Sequence, residues 1–416
     1  MAPVVVSLAG MGMILCRMRG LIMVRVRESI DSNYKIHNLR SIVLTPWWKI
    51  RLIKSRSSTF GKERKNRQEA LTMKKVKGIF EEICSRKNIR NAIGKACRNH
   101  KNDPVVINIM NNIDECVEEI HEMLVNGTFE SSEYTYDTRI EGGKVRNIAK
   151  VGFYPDRIIH WCIMNVTAPI FKARFINCTF GAIEGRGTHR ALKMEKRFLK
   201  DKEGTAYVLK IDVHHFFESI DKDILMSKLE RIYKEKEVLN LFSKIIYGYP
   251  RTGLPIGNLT SQYLANLYLS DLDHYMKEVF HAKYYLRYMD DIVILGKNKS
   301  WLRRALNKVR KFLEKEKLEL NPKYQISPVD DRGVDFVGYR AFHGFVLLRT
   351  RIKRNLYRVV NQILKILQSG GTFTERMRCQ CASYNGILKW CNSYRLRRRT
   401  LDRVEQYVKQ NSAECS

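Results

Sequence analysis

The chain has few of the features that place a protein in a membrane or an oxidising compartment. Its most apolar amino-terminal stretch, Ala2 to Cys16, is interrupted by Gly10 and Gly12. It is also shorter than the roughly 20 residues a spanning helix needs. No basic segment precedes it and no small-residue cleavage site follows it cleanly, so a signal peptide is poorly supported. There is no Cys-x-x-Cys pair. The ten cysteines are irregularly spaced, and Cys379 and Cys381 stand only one residue apart, a poor zinc arrangement. They read as reduced thiols of a cytoplasmic protein rather than a disulfide framework. Acid is also scarce. Against 75 Lys and Arg there are 43 Asp and Glu, a net charge of +32 in 416 residues. Such an excess repels itself unless a polyanion is the partner, and binding of that kind weakens steeply with salt. A ribosomal or histone-like tail is disfavoured by the 10% aromatic and 44% hydrophobic content, enough for a large core in two or three subdomains. A membrane-surface protein fits poorly, because the positive charge is spread along the whole chain.

The acid that is present is placed where it can do chemistry. Tyr288-Met289-Asp290-Asp291 lies between two strand-like runs, Lys283 to Arg287 and Ile292 to Leu295, rich in aromatic and β-branched residues. The two carboxylates are therefore expected at a hairpin tip. Charges that close resist joint ionisation unless a cation neutralises them. Asp-Asp in a turn is also common simply because Asp suits turns. Upstream, the β-rich run Tyr207 to Val213 carries Asp212. A lone Asp at a strand end is often a cap. One that meets the Asp290-Asp291 hairpin across a sheet completes a carboxylate set able to hold two divalent ions, and Mg²⁺ suits such a set because it needs few protein carboxylates.

Asp212, the run Gly253-Leu254-Pro255-Ile256-Gly257-Asn258-Leu259-Thr260-Ser261-Gln262 and the Tyr-Met-Asp-Asp box occur in the order of reverse transcriptase motifs. The chain resembles that family from about Lys74 to Arg399. Within the family it looks most like the enzymes of diversity-generating retroelements, bacterial or phage RNA-directed DNA polymerases. Relatives from group II introns and retrons usually carry Pro-Gln-Gly and Ser-Pro where this chain has Pro255-Ile256-Gly257 and Ser261-Gln262.

The resemblance implies an α+β right-hand polymerase: fingers over 73–200, a palm with an antiparallel sheet over 201–342 and a helical thumb over 343–416. Residues 17–72 are basic and irregular, and residues 1–72 are expected to be a translated upstream region, a disordered basic extension or, least of all, a membrane anchor. It implies two Mg²⁺ ions, replaceable by Mn²⁺, on Asp212, Asp290 and Asp291 with the Val213 carbonyl. Arg146, on a hairpin about Gly142-Gly143, would hold the triphosphate, with Lys144 on the same side of the strand. Phe217 would lie beneath the sugar and exclude a 2′-hydroxyl. Gly257 and Gln262 would line the nucleotide and template, on a turn leading to a helix over Tyr263 to Val279. Ile256, in place of a glutamine, would loosen pairing and favour errors at template adenine. Lys323 in Leu318 to Lys323 would approach the pyrophosphate as a candidate general acid. Tyr288 and Met289, with Gly338 and Tyr339 in Gly333 to Tyr339, would contact primer and template. The partners implied are a repeat RNA template, a DNA or RNA primer, deoxynucleotides and a small basic multimeric accessory protein.

Other segments read less specifically. Gly185-Arg186-Gly187 could let amides approach a phosphate or be a plain loop. Arg157 and His160 fall on one face of an expected helix, and His160 and His189 read as structural or RNA-contacting. Tyr384, Trp390 and Tyr394 among basic residues suit either base stacking or the apolar stripe of an amphipathic helix. Rival functions are a group II intron or retron enzyme, a phage-defence enzyme making untemplated DNA, and a non-catalytic RNA-binding scaffold.

Overall fold

A computed structural model describes residues 5–8, 13–18, 21–26, 42–44, 50–52, 75–141 and 144–413, with side chains over 75–140 and 147–410. The chain divides into two compact units, Met1–Lys74 and Lys75–Ser416. In the first, strands β1 (Val5–Leu8), β2 (Met13–Met18), β3 (Leu21–Val26), β4 (Ile42–Leu44) and β5 (Ile50–Leu52) pair antiparallel in sequence order. The rest of the region expected to be an extension lies outside the described residues.

The second unit opens with helices set by ordinary capping. Ser85 accepts from the Asn88 amide at the start of the helix Arg86–Cys97, and Asp103 caps Pro104–Asn111, which has proline in its first turn. The expected helix about Ile113 runs Ile113–Val125, with Gly127 beyond it at φ +66°. Its inward face, Cys116, Val117, Ile120 and Leu124, repeats at helical spacing. The expected hairpin follows, β6 (Thr135–Glu141) against β7 (Lys144–Lys150), with Arg139 opposite Arg146 and Glu141 opposite Lys144.

The centre is a five-stranded sheet in the order β12-β9-β11-β10-β8. Its strands are β8 (Thr179–Phe180), β9 (Tyr207–Ile211), β10 (Tyr284–Tyr288), β11 (Asp291–Gly296) and β12 (Gln325–Pro328). All neighbours are antiparallel except β8 and β10. Ile292, Val293, Ile294 and Leu295 are all buried, so β11 is covered on both faces. A strand covered on both sides needs a continuous apolar run rather than alternation. The helix Lys299–Lys315 packs against β9 and β11, and Thr188–Phe198 against β10. The palm sheet thus reaches back to Thr179, inside the range expected to be fingers.

A three-stranded meander, β13 (Val334–Phe336), β14 (Tyr339–Ala341) and β15 (Val346–Leu348), leads to the carboxy-terminal helices Thr350–Gln368, Glu375–Leu388, Tyr394–Arg398 and Leu401–Ala413. The expected helix over Tyr263 to Val279 starts earlier and is broken: Leu259–Tyr268, then Ser270–His274, then a π turn Tyr275–Val279. No helix among the described residues is long and apolar enough to cross a membrane. The described cysteines are unpaired, and five of them are buried. Burial alone pushes the Cys84 thiol up to about 11, which leaves it inert.

Candidate active site at the palm sheet edge

β10 and β11 are joined by the two-residue turn Met289-Asp290, and Tyr288 pairs with Asp291. Asp291 is therefore the first residue of a strand rather than part of the tip, and the turn places Met289 at φ +55°. β9 lies beside β11 with Ile211 opposite Ile292. One step further along that register sets Asp212 opposite Asp291. Two partly exposed carboxylates thus share one edge of the sheet.

Their electrostatics agree with this placement. Burial raises the Asp291 carboxyl above its ordinary range; Lys210 opposes the shift and the Asp212 charge adds to it. The Lys210 ammonium stands 3.7 Å from Asp291 Oδ1 and donates to the Asp335 carbonyl at 3.0 Å. Asp212 is fixed from the other side. Asn321 donates its amide N–H to the Asp212 carbonyl and its side-chain amide to Oδ2, both at 2.9 Å. Val213 bridges to Leu320, which leaves its surroundings set by the segment ending in the exposed Lys323. Among the described residues no three acidic, histidine or cysteine side chains are gathered into a metal-holding group. The donors at the edge are nonetheless hard carboxylate oxygens in a like-charged pair, which suits Mg²⁺, an ion that takes few protein ligands and keeps room for phosphate oxygens.

The turn rests on a buried polar network that the sequence did not reveal. Arg287 and Asp273 are both fully buried. Arg287 donates to Asp273 through Nε at 2.7 Å and Nη2 at 2.6 Å, to Asn266 Oδ1 at 3.0 Å and to the Met289 carbonyl at 2.8 Å. Tyr285 and Thr179 hydroxyls also donate to Asp273, each at 2.6 Å. The guanidinium therefore holds the backbone of the turn that carries the acidic pair. Gly181, at φ +89°, lies against the same turn; a Cβ there would come within 2.9 Å of Met289. The only sequence signal for this network was an arginine inside an otherwise apolar strand.

The middle motif is positioned by close backbone approach. A Cβ on Gly253 would sit 2.2 Å from the Phe217 carbonyl, and the Leu254 amide donates to that carbonyl at 2.7 Å. Phe217 is thereby held beside the motif, half-buried, five residues from Asp212. A Cβ on Gly257 would sit 2.5 Å from the Ala149 carbonyl, and the Ala149 amide donates to Ile256 at 3.1 Å. The fingers hairpin is pinned to the motif at this point. Ile256 is half-buried and Gln262 exposed. Lys144 and Arg146 lie on β7, but their side chains are outside the described residues.

Between hairpin and motif opens a cleft of about 620 Å³, lined by Arg139, Lys150, Phe153, Arg157, His160 and Gln262 among others. Arg157, the N-cap of the helix Ile158–Arg174, is exposed at the cleft rim and His160, three residues on, is 1% exposed, so both face the cleft. Burial lowers the His160 imidazole to about 4, and its Nε2 has no protein partner.

Other expected residues are engaged within the chain. Arg186 donates to the carbonyls of Phe175, Ile176 and Lys172, so the Gly-Arg-Gly segment is a structural loop. Trp390 stacks on His189 with centroids 4.2 Å apart. Tyr394, in contrast, is 74% exposed. Gly338, at φ +91°, accepts from the Arg349 amide. Tyr339 is buried and donates its hydroxyl to the Ile387 carbonyl at 3.2 Å.

Residues 142–341 match the family model described as reverse transcriptase (RNA-dependent DNA polymerase). This segment, which takes in β7 of the hairpin, the central sheet and the acidic edge, matches the reverse transcriptase family. The chain is 25% identical over 266 residues to protein YkfC of Escherichia coli (strain K12), covering 53% of this chain and 68% of that protein. It is 29% identical over 101 residues to nuclear intron maturase 1, mitochondrial, of Arabidopsis thaliana, covering 24% and 14%. The group II intron-encoded protein LtrA of Lactococcus lactis subsp. cremoris is 24% identical over 177 residues, covering 40% and 29%. Among solved structures, apo telomerase from Candida Tropicalis superposes with a TM-score of 0.41 at 11% identity, covering 53% of this chain and 49% of that one. The chain thus spans 14% and 29% of the length of the two intron proteins.

Proposed function

We propose that this chain is an RNA-directed DNA polymerase that extends a primer on an RNA template. The observation that carries this reading is the meeting of Asp212 with Asp291 at one sheet edge, inside the segment matched by the family model. Asp212, Asp290 and Asp291, with the Val213 carbonyl, would hold two Mg²⁺ ions, or Mn²⁺ in their place. Bound there, the ions would lower the pKa of the primer 3′-hydroxyl and offset charge on the departing pyrophosphate.

The chain's own residues supply the rest. Arg146 and Lys144 on the hairpin bind the triphosphate. Phe217 fills the space a 2′-hydroxyl would need. Lys323 offers a proton to the leaving group. Tyr288 and Met289 meet the primer end, and the Gly338-Tyr339 turn backs it. The cleft between hairpin and middle motif receives the template, with Gly257 and Gln262 on its wall and cationic groups at its rim.

Within the family, Ile256 and Gln262 favour a diversity-generating element. Its template would be a repeat RNA, its cDNA would carry changes at adenine, and it would work with a small basic multimeric protein. The named intron proteins among its relatives favour a second reading, an accurate group II intron or retron enzyme. Primer extension on an RNA template with Mg²⁺, followed by sequencing and run beside Asp290→Ala, separates them. Mutant-sensitive cDNA with errors at template adenines supports the first. Accurate cDNA supports the second. Product that ignores the template would point to a phage-defence enzyme, and activity that survives Asp290→Ala would sink the proposed site.

A further inference from the structure

The helix Lys299–Lys315 closes one face of the palm sheet. Its inner side, Leu302, Ala305, Leu306, Val309 and Leu313, is fully covered. Phe312 and Trp301 add ring contacts to Tyr275 and Phe280 at 5.7 and 5.2 Å. Its outer side carries Arg304, Lys308, Lys311 and Lys315, all exposed. Steps of four, three and four residues align them in one row along the helix, about 16 Å long at 1.5 Å per residue. Among the described residues none of the four makes an ion pair or hydrogen bond. The helix has one acid, Glu314, which lies off the row.

A solvated helix face is normally mixed in sign, since opposite charges at i,i+4 stabilise the helix and like charges there destabilise it. Here three successive neighbouring pairs are like-charged, and the one acid within a step of the row, Glu314 beside Lys311, forms no ion pair with it. The far end of the row leads, through Glu316 to Leu320, to the strand bridge at Val213. The helix that carries the row covers β9 and β11, and none of the four cations lines the cleft.

We propose that this row is a second RNA-binding surface, one that takes the phosphate backbone of a double-helical part of the template RNA while the cleft holds its single-stranded part. This rests on the reading that the chain copies RNA. A regular row of exposed, unpaired cations suits a regular row of phosphates, and it carries no base specificity.

The test uses the full chain and two labelled RNAs, each annealed to the same DNA primer. One is a short unstructured template; the other is the same template with an RNA hairpin of about 16 base pairs appended, a length a double-stranded RNA-binding module can span. The quadruple variant Arg304→Gln, Lys308→Gln, Lys311→Gln, Lys315→Gln is compared with wild type by anisotropy across a salt series. The expected result is that the variant loses at least tenfold in affinity for the hairpin template. Its salt slope on that template should fall by about 3.6, the value for four lost phosphate contacts on a duplex. Binding and extension of the short template should stay within twofold, which also shows that the variant folds. Equal binding of the hairpin template by both proteins would overturn the proposal. If wild type bound both RNAs but extended neither, the polymerase reading would fail while the hairpin comparison still judged the row.

Discussion

Asp273 and Asp291 stand within one sheet and its supporting helix, and they are built in opposite ways. Asp273 is fully buried and takes four hydrogen bonds, two from Arg287 and one each from Tyr285 and Thr179. Asp291 is partly exposed, faces Asp212 and has its nearest cation at 3.7 Å. The first carboxylate is complete as it stands and serves as a scaffold. The second is raised in pKa by burial and by a like charge, and it gains from a cation brought from outside. A perturbed acid in an incomplete setting marks the functional group; a satisfied one marks its support.

The sharpest way to break this comparison is to neutralise each acid in turn. Asp291→Asn should cut primer extension by roughly three orders of magnitude, equivalent to about 4 kcal/mol, while leaving the melting temperature unchanged or higher. A clear drop in melting temperature would mean that Asp291 is scaffold after all. Arg287→Met should do the reverse and destabilise the fold by about 3–5 kcal/mol by orphaning a buried charge. Adding Asp273→Leu to that variant should restore much of the stability in urea unfolding, but it should leave extension slow, because the Met289 carbonyl has lost its donor.

Smaller effects sharpen the picture. Phe217→Ala should reduce discrimination against ribonucleotides by about 10- to 100-fold, read from incorporation with mixed nucleotide pools. An unchanged ratio would show that Phe217 is a core residue only. The smallest effect concerns Glu195, which is fully buried with no protein partner for either oxygen. Burial raises its carboxyl well above the ordinary range, Asp335 adds to the shift and Lys210 opposes it. A folded-state pKa above the unfolded one gives stability that is complete below the unfolded value, about 4.3, and eroded as pH rises toward the folded one. Glu195→Gln should therefore melt higher than wild type at pH 8 and alike at pH 4. Parallel melting curves at both values would contradict a neutral Glu195.

What was legible in the sequence was mostly local. Asp290 and Asp291 sit between two runs whose composition requires strands, and the hairpin about Gly142-Gly143 alternates over both arms. Asp212 could be matched to them because strand, acid and turn keep a recognisable order. The supports were hidden because they are distant in sequence. Asp273 lies fourteen residues before Arg287 across a broken helix, Thr179 is further still, and Asn321 reaches Asp212 over 109 positions. The helix expected from Tyr263 failed to run on because the chain kinks after Tyr268, where side chains and not propensity decide. Of the two readings of Gly185-Arg186-Gly187, the plain loop holds, and what the sequence could not show is that three backbone carbonyls draw Arg186 inward.

The carboxy-terminal meander carries a consequence for movement along a template. Tyr339 is tied to Ile387, Val346 and Asn392 exchange two hydrogen bonds at 2.8 Å, and Gly338 accepts from Arg349. The Gly338-Tyr339 turn and the helices beyond it are therefore one mechanical piece. On the proposed reading, in which this turn backs the primer end, those helices would not slacken after an added nucleotide without shifting the surface beneath the 3′ end. Processivity and the accuracy of primer placement would then be coupled, and a change that loosened one would loosen the other.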